Sequence, residues 1–136
     1  MARAVEIITP DGEAVTVDAF IKPALLHLWG RGVVTLDSCA GHFPDYRAYI
    51  RIERNADFEE YAMRCQWETD TAPIMELDPA KAHELPPYTG GKKGVRLPAG
   101  IFRHTGRSAF FVFACNGRGE QSRILRGRFL RWLCEY

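Results

Sequence analysis

From residue 46 to residue 53 the chain alternates without interruption, Tyr46, Ala48, Ile50 and Ile52 on one side and Arg47, Tyr49, Arg51 and Glu53 on the other. A period of two over eight residues fits a half-buried β-strand and nothing helical, because successive side chains of a strand point to opposite faces. A fold that contains it must supply an apolar layer for one face. It must also leave a basic and aromatic surface on the other.

The rest of the chain is read around that strand. Residues 4–8 and 13–17 are short apolar-rich segments flanking Pro10-Asp11-Gly12, which predicts a β-hairpin. Asp18 is placed to cap a helix carrying Ile21, Leu25, Leu28 and Trp29 at helical spacing, ended by Gly30 and Gly32, with Pro23 tolerable only in its first turn. Residues 33–37 read as a strand joined by the loop 38–45 to the alternating strand. Asn55 then caps a second helix with Phe58, Tyr61, Ala62 and Cys65 on its buried stripe.

Residues 73–77 suggest a short edge strand, and 78–100, with four prolines and four glycines, a long surface loop. Residues 101–104 and 108–115 suggest a hairpin turning at Thr105-Gly106. Its second arm is apolar on both faces, as a central strand would be. In residues 119–136 Leu125, Phe129, Trp132, Leu133 and Tyr136 gather on one helical face. The expected architecture is a single α+β domain over residues 1–136, with one mainly antiparallel sheet and about three helices, an order compatible with a ferredoxin-like core.

The 136 residues, 46% hydrophobic and 26% charged, fit one globular domain able to build a core without a disulfide or a structural metal. No apolar run approaches the ~20 residues of a membrane-spanning helix, and no signal-peptide h-region is evident, so a cytoplasmic setting and free thiols are expected. The net charge of +1 conceals a division. Residues 1–91 carry about −7 and residues 92–136 about +8. Such asymmetry points to an acidic partner, RNA or DNA foremost or an acidic protein, unless the two regions neutralise each other.

The densest group of reactive side chains is Ser38-Cys39-Ala40-Gly41-His42. Gly41 permits a tight turn, and the two-residue gap between Cys39 and His42 suits a shared metal or a histidine-lowered thiol pKa. Zinc would need further ligands from His27, His83, His104 or Cys115, and nucleophilic catalysis an orienting group and an oxyanion hole. Turn hydrogen bonding by Asp37 and Ser38 is the plain alternative. The expectation is a non-covalent ligand-binding loop formed by Ser38, Cys39, Gly41 and His42, with neither a catalytic residue nor a metal assigned.

A second surface is basic and aromatic: Arg47, Tyr49 and Arg51 on the strand, Lys92, Lys93 and Arg96 in the loop, and Arg123, Arg126, Arg128 and Arg131 in the last helix. Arginine binds phosphate bidentately and stacks on bases, and tyrosine on a sheet offers a stacking surface, so single-stranded nucleic acid is a fitting ligand. The chain carries no phosphate-loop, dinucleotide-binding, nucleophile-elbow or zinc-protease signature.

The run from Leu25-Leu26-His27-Leu28-Trp29 through Gly32-Val33-Val34-Thr35-Leu36-Asp37-Ser38-Cys39-Ala40-Gly41 resembles the motif region of the wybutosine-synthesis methyltransferase family. That family modifies a tricyclic guanosine derivative of transfer RNA with S-adenosylmethionine. The resemblance implies that Ser38, Cys39 and Gly41 lie in or beside an RNA or cofactor pocket. His42 stands where the family continues with arginine, and the match covers about a quarter of the chain. The stretch also looks like small uncharacterised bacterial and phage proteins. Three functions follow as expectations: a small protein that engages nucleic acid or another acidic partner through its basic C-terminal third, with the Ser38–His42 loop positioning the ligand; an RNA-modification enzyme using S-adenosylmethionine; and a protein–protein inhibitor or structural subunit from a mobile element.

Overall fold

The computed structural model describes residues 3–41, 47–85, 100–114 and 120–136. They fall into two compact units, Met1–Ala72 with Ala109–Tyr136, and Pro73–Ser108. The α+β class is as expected, with three α-helices, one short 3-10 helix and two antiparallel sheets among the described residues.

In the larger unit, β1 (Ala4–Ile8) and β2 (Ala14–Asp18) form the anticipated hairpin as a sheet of their own. Gly12 turns it at φ 89°, a conformation glycine adopts without strain. Helix α1 (Lys22–Gly30) follows, with Pro23 in its first turn. It ends in a Schellman motif: the Gly32 and Val33 amides donate to the carbonyls of Trp29 and Leu28 at 3.0 and 2.9 Å. Asp18 does not cap the helix. Its backbone carbonyl receives the Ile21 amide, and its carboxylate instead accepts the Ala40 amide at 3.2 Å.

The main sheet has the order β3-β4-β6-β5, from β3 (Thr35–Cys39), β4 (Tyr49–Glu53), β5 (Glu68–Leu77) and β6 (Phe102–Phe113). Helix α2 (Ala56–Met63) connects β4 to β5 and α3 (Glu120–Cys134) follows β6. Asn55 caps α2 as expected, accepting the Phe58 amide at 3.0 Å, while its own amide donates to Glu59 at 2.8 Å. A ferredoxin-like sheet would place the strand before α1 beside β4. Here β6 holds that position, and β2 is committed to β1.

Several boundaries differ from expectation, among them that of the alternating strand, which begins at Tyr49 rather than at residue 46. The strand expected at 33–37 is shifted to Thr35–Cys39, because Val33 completes the end of α1. The edge strand is ten residues long rather than five. The expected hairpin at Thr105-Gly106 is one continuous strand, β6: Gly106 has φ 81° inside it, and a left-handed glycine serves a strand irregularity as readily as a turn.

One apolar core holds the larger unit together. Ile50 and Ile52 of β4 and Phe110 and Val112 of β6 meet Leu25 and Leu28 of α1, Phe58 and Ala62 of α2, and Phe129 and Leu133 of α3. All three helices therefore cover one face of the sheet. Around Trp132 the rings of Tyr61, Phe58, Trp67 and Phe129 pack, Tyr61 lying parallel to Trp132 at 4.8 Å. Cys65 packs at the margin of this core, as its place on the stripe suggested.

In the smaller unit the ends of β5 and β6 run antiparallel, tied by Thr105 donating to the Ile74 carbonyl at 2.8 Å and by an Arg103–Glu76 ion pair at 2.8 Å. The segment expected as a loop opens with a 3-10 helix, Pro79–Glu84, capped by Asp78. The remainder of that loop, 86–99, lies outside the described residues. No helix among the described residues is long and apolar enough to cross a membrane.

Candidate nucleic-acid interface

Register decides which side chains share the uncovered face, the one that no helix among the described residues covers. Asp37 stands opposite Arg51 and Arg51 opposite Phe111; Cys39 stands opposite Tyr49 and Tyr49 opposite Phe113. Directly opposed residues in an antiparallel ladder project from the same side. The helices take Ile50, Ile52, Phe110 and Val112, so the other face of three adjacent strands carries Asp37, Cys39, Tyr49, Arg51, Phe111 and Phe113. Arg47, just before β4, joins them.

These side chains are organised around aromatic rings. Phe111 and Phe113 lie nearly parallel, 2° between planes and 5.6 Å between centroids. Tyr49 sits 5.9 Å from Phe113. The Arg47 guanidinium lies over the Phe113 ring at 5.1 Å and that of Arg51 over Phe111 at 5.8 Å. Such contacts hold each guanidinium beside a ring while leaving N–H groups for a second partner. Arg47 also pairs with Glu68 at 2.6 Å. The Arg51 Nε–H is shielded from solvent and finds no acceptor among the described residues. A hidden donor without an acceptor is costly, so this position favours an incoming one.

Tyr49 donates its hydroxyl to Asp37 at 2.9 Å. Burial, then the hydrogen bond to Asp37 and its negative charge, push the phenol up to about 12. The folded state thus favours neutral Tyr49 more than the unfolded chain does. The stability it contributes is complete below pH 10 and lost as pH rises through about 12. Burial raises Tyr61 equally, to about 12. Titration followed by phenolate absorbance should show a late step near pH 12 from Tyr49 and Tyr61, and Tyr49→Phe should diminish that step. Ionisation of every tyrosine near pH 10 in the folded protein would contradict this placement.

The predicted ligand loop is divided by the structure. Ser38 and Cys39 are strand residues rather than loop residues, because they pair with Ile50 and Tyr49. Ser38 thus belongs to the helix side and Cys39 to the uncovered side. Beyond the strand, the Ala40 amide is held by Asp18, and the Gly41 carbonyl accepts from Arg126 at 3.2 Å. The Gly41 amide donates to the Cys39 sulfur at 3.3 Å, and Gly41 has the positive φ, 86°, expected of a turn. His42 lies outside the described residues. Among the described residues no group of three or more His, Cys, Asp or Glu side chains is placed to hold a metal ion.

The predicted arginine set is divided too. Arg47, Tyr49 and Arg51 come together on the sheet, whereas Arg123, Arg126, Arg128 and Arg131 belong to α3, in the layer on the other side. Arg126 is half-buried, its guanidinium 5.2 Å from the Phe20 ring. Arg123, Arg128 and Arg131 are exposed. Glu59 and Glu60 pair with Arg54 and Arg64 rather than with α3. Lys92, Lys93 and Arg96 lie outside the described residues. Phe111 and Phe113 were missed as surface residues, although a strand pairing with 46–53 must present alternate residues beside Arg47, Tyr49 and Arg51.

Comparison with protein-family models, curated proteins and solved structures finds no match. The functional reading rests on the geometry of this face.

Proposed function

We propose that this protein binds single-stranded nucleic acid across the uncovered face of its main sheet. The observation that carries the reading is the pair of guanidinium groups from β4 and the residue just before it, lying over two parallel phenylalanine rings of the neighbouring β6, with Tyr49 beside them. Bases stack on open aromatic faces and on guanidinium planes whatever their identity, and the arginine N–H groups meet the phosphates that join them. An antiparallel sheet backed by helices is a rigid support for stacked bases. Asp37 and Cys39 of β3 form the rim of this surface, which retains for part of the Ser38–Cys39 segment the ligand-positioning role read from the sequence.

Binding of a fluorescent single-stranded oligonucleotide should weaken linearly on a log–log plot as salt rises, by about 0.7 in slope for each phosphate neutralised. Arg51→Gln should lower affinity and make that slope shallower by roughly 0.7 to 1. Arg51→Lys should not restore the wild-type affinity, since an ammonium neither stacks nor forks. Salt-independent binding, or none at low ionic strength, would overturn the proposal.

A further inference from the structure

Asp37 is out of place on a surface meant only for phosphates. It is exposed and stands directly across from Arg51, yet no ion pair joins them. One carboxylate oxygen accepts the Tyr49 hydroxyl at 2.9 Å and the other the Ser38 amide at 2.8 Å. Each oxygen keeps a further lone pair, because an ionised carboxylate offers about four acceptor positions. The tyrosine thereby fixes a bidentate acceptor at the edge of the ring that would carry a stacked base.

We infer that Asp37 selects guanine. The inference rests on the proposed single-stranded nucleic-acid binding and names the base this surface prefers. Of the four bases, guanine alone presents two adjacent N–H donors on its Watson–Crick edge, N1–H and the N2 amino group. A carboxylate accepts both in parallel. Adenine, cytosine and uracil each set an acceptor where one carboxylate oxygen would lie, so two unshared electron pairs would face each other. Arg47 and Arg51 supply charge for phosphates irrespective of sequence, and Asp37 supplies discrimination, since base edges specify where backbone contacts only position.

The test uses short uridine oligoribonucleotides carrying one central guanine, adenine, cytosine or uracil, with affinity read by fluorescence anisotropy. The guanine oligomer should bind the wild-type protein about tenfold more tightly than the other three, the size of effect of one good bidentate base contact. Asp37→Asn replaces one acceptor by a donor and should abolish that preference, so that the guanine oligomer binds no more tightly than the other three. Tyr49→Phe keeps ring and carboxylate but no longer fixes the carboxylate, so the preference for guanine should shrink without vanishing. Equal wild-type affinity for all four oligomers overturns the guanine assignment alone. A preference that survives in Asp37→Asn overturns it as well. Failure to bind any of them overturns the proposed function together with it.

Discussion

Replacing Phe111 and Phe113 together by alanine is expected to weaken single-stranded nucleic-acid binding by about 100-fold, while the protein stays folded. Loss of one base–aromatic contact costs roughly 1–3 kcal/mol, and this substitution removes two rings. It also removes the rings against which the Arg47 and Arg51 guanidinium groups lie, so the salt slope should change with the affinity. Both rings lie on the face the helices do not cover, and their loss leaves the core of Ile50, Ile52, Phe110 and Val112 in place. Anisotropy titration with a mixed-sequence oligonucleotide checks the affinity, and a thermal melt checks the fold. Affinity within about twofold of wild type would show that the rings are not the stacking surface.

The largest stability effect should come from the opposite side of the sheet. Phe129 is completely buried, its ring edge-on to Trp67 at 5.4 Å and 5.9 Å from Trp132. Phe129→Ala should cost about 3–5 kcal/mol, the transfer free energy plus the cavity left among rings that cannot collapse. A domain has only ~5–15 kcal/mol in all, so this one change would consume a large share. Urea denaturation should show a lower midpoint at an unchanged slope. Ile124, on the same helix but 51% exposed, is the control, and Ile124→Ala should stay within about 0.5 kcal/mol. Equal effects at the two positions would mean that α3 does not dock as described.

Signals carried by neighbouring residues transferred directly into structure. Alternation across Ile50 and Ile52, the Asn55 cap, the glycine after α1 and the stripe of Phe129, Trp132 and Leu133 each depend on contacts within a turn or on one buried face. Distant partners account for the departures. Asp18 could satisfy a helix amide beside it or the Ala40 amide of a later strand, and the latter prevails. A left-handed Gly106 suits a hairpin turn or an irregular strand, and pairing of β6 with β5 and β4 decides for the strand. The site divides along the same line. Arg47, Tyr49 and Arg51 share a face by local alternation, but Asp37, Phe111 and Phe113 join them only through register between strands, with Tyr49 and Phe113 paired although they lie far apart in sequence. An apolar run such as 109–114 looks buried on both faces, and only the position of the helices shows which face stays uncovered.

The most direct measurement is an amide-correlation NMR titration of the labelled protein with a mixed-sequence single-stranded oligonucleotide at low salt. Strands β3, β4 and β6 should shift first and most, concentrated at Asp37, Tyr49, Arg51, Phe111 and Phe113, with α3 nearly unmoved. Shifts confined to Arg123, Arg128 and Arg131 on the outer side of α3, or no shifts at all, would contradict the claim that the uncovered sheet face binds nucleic acid.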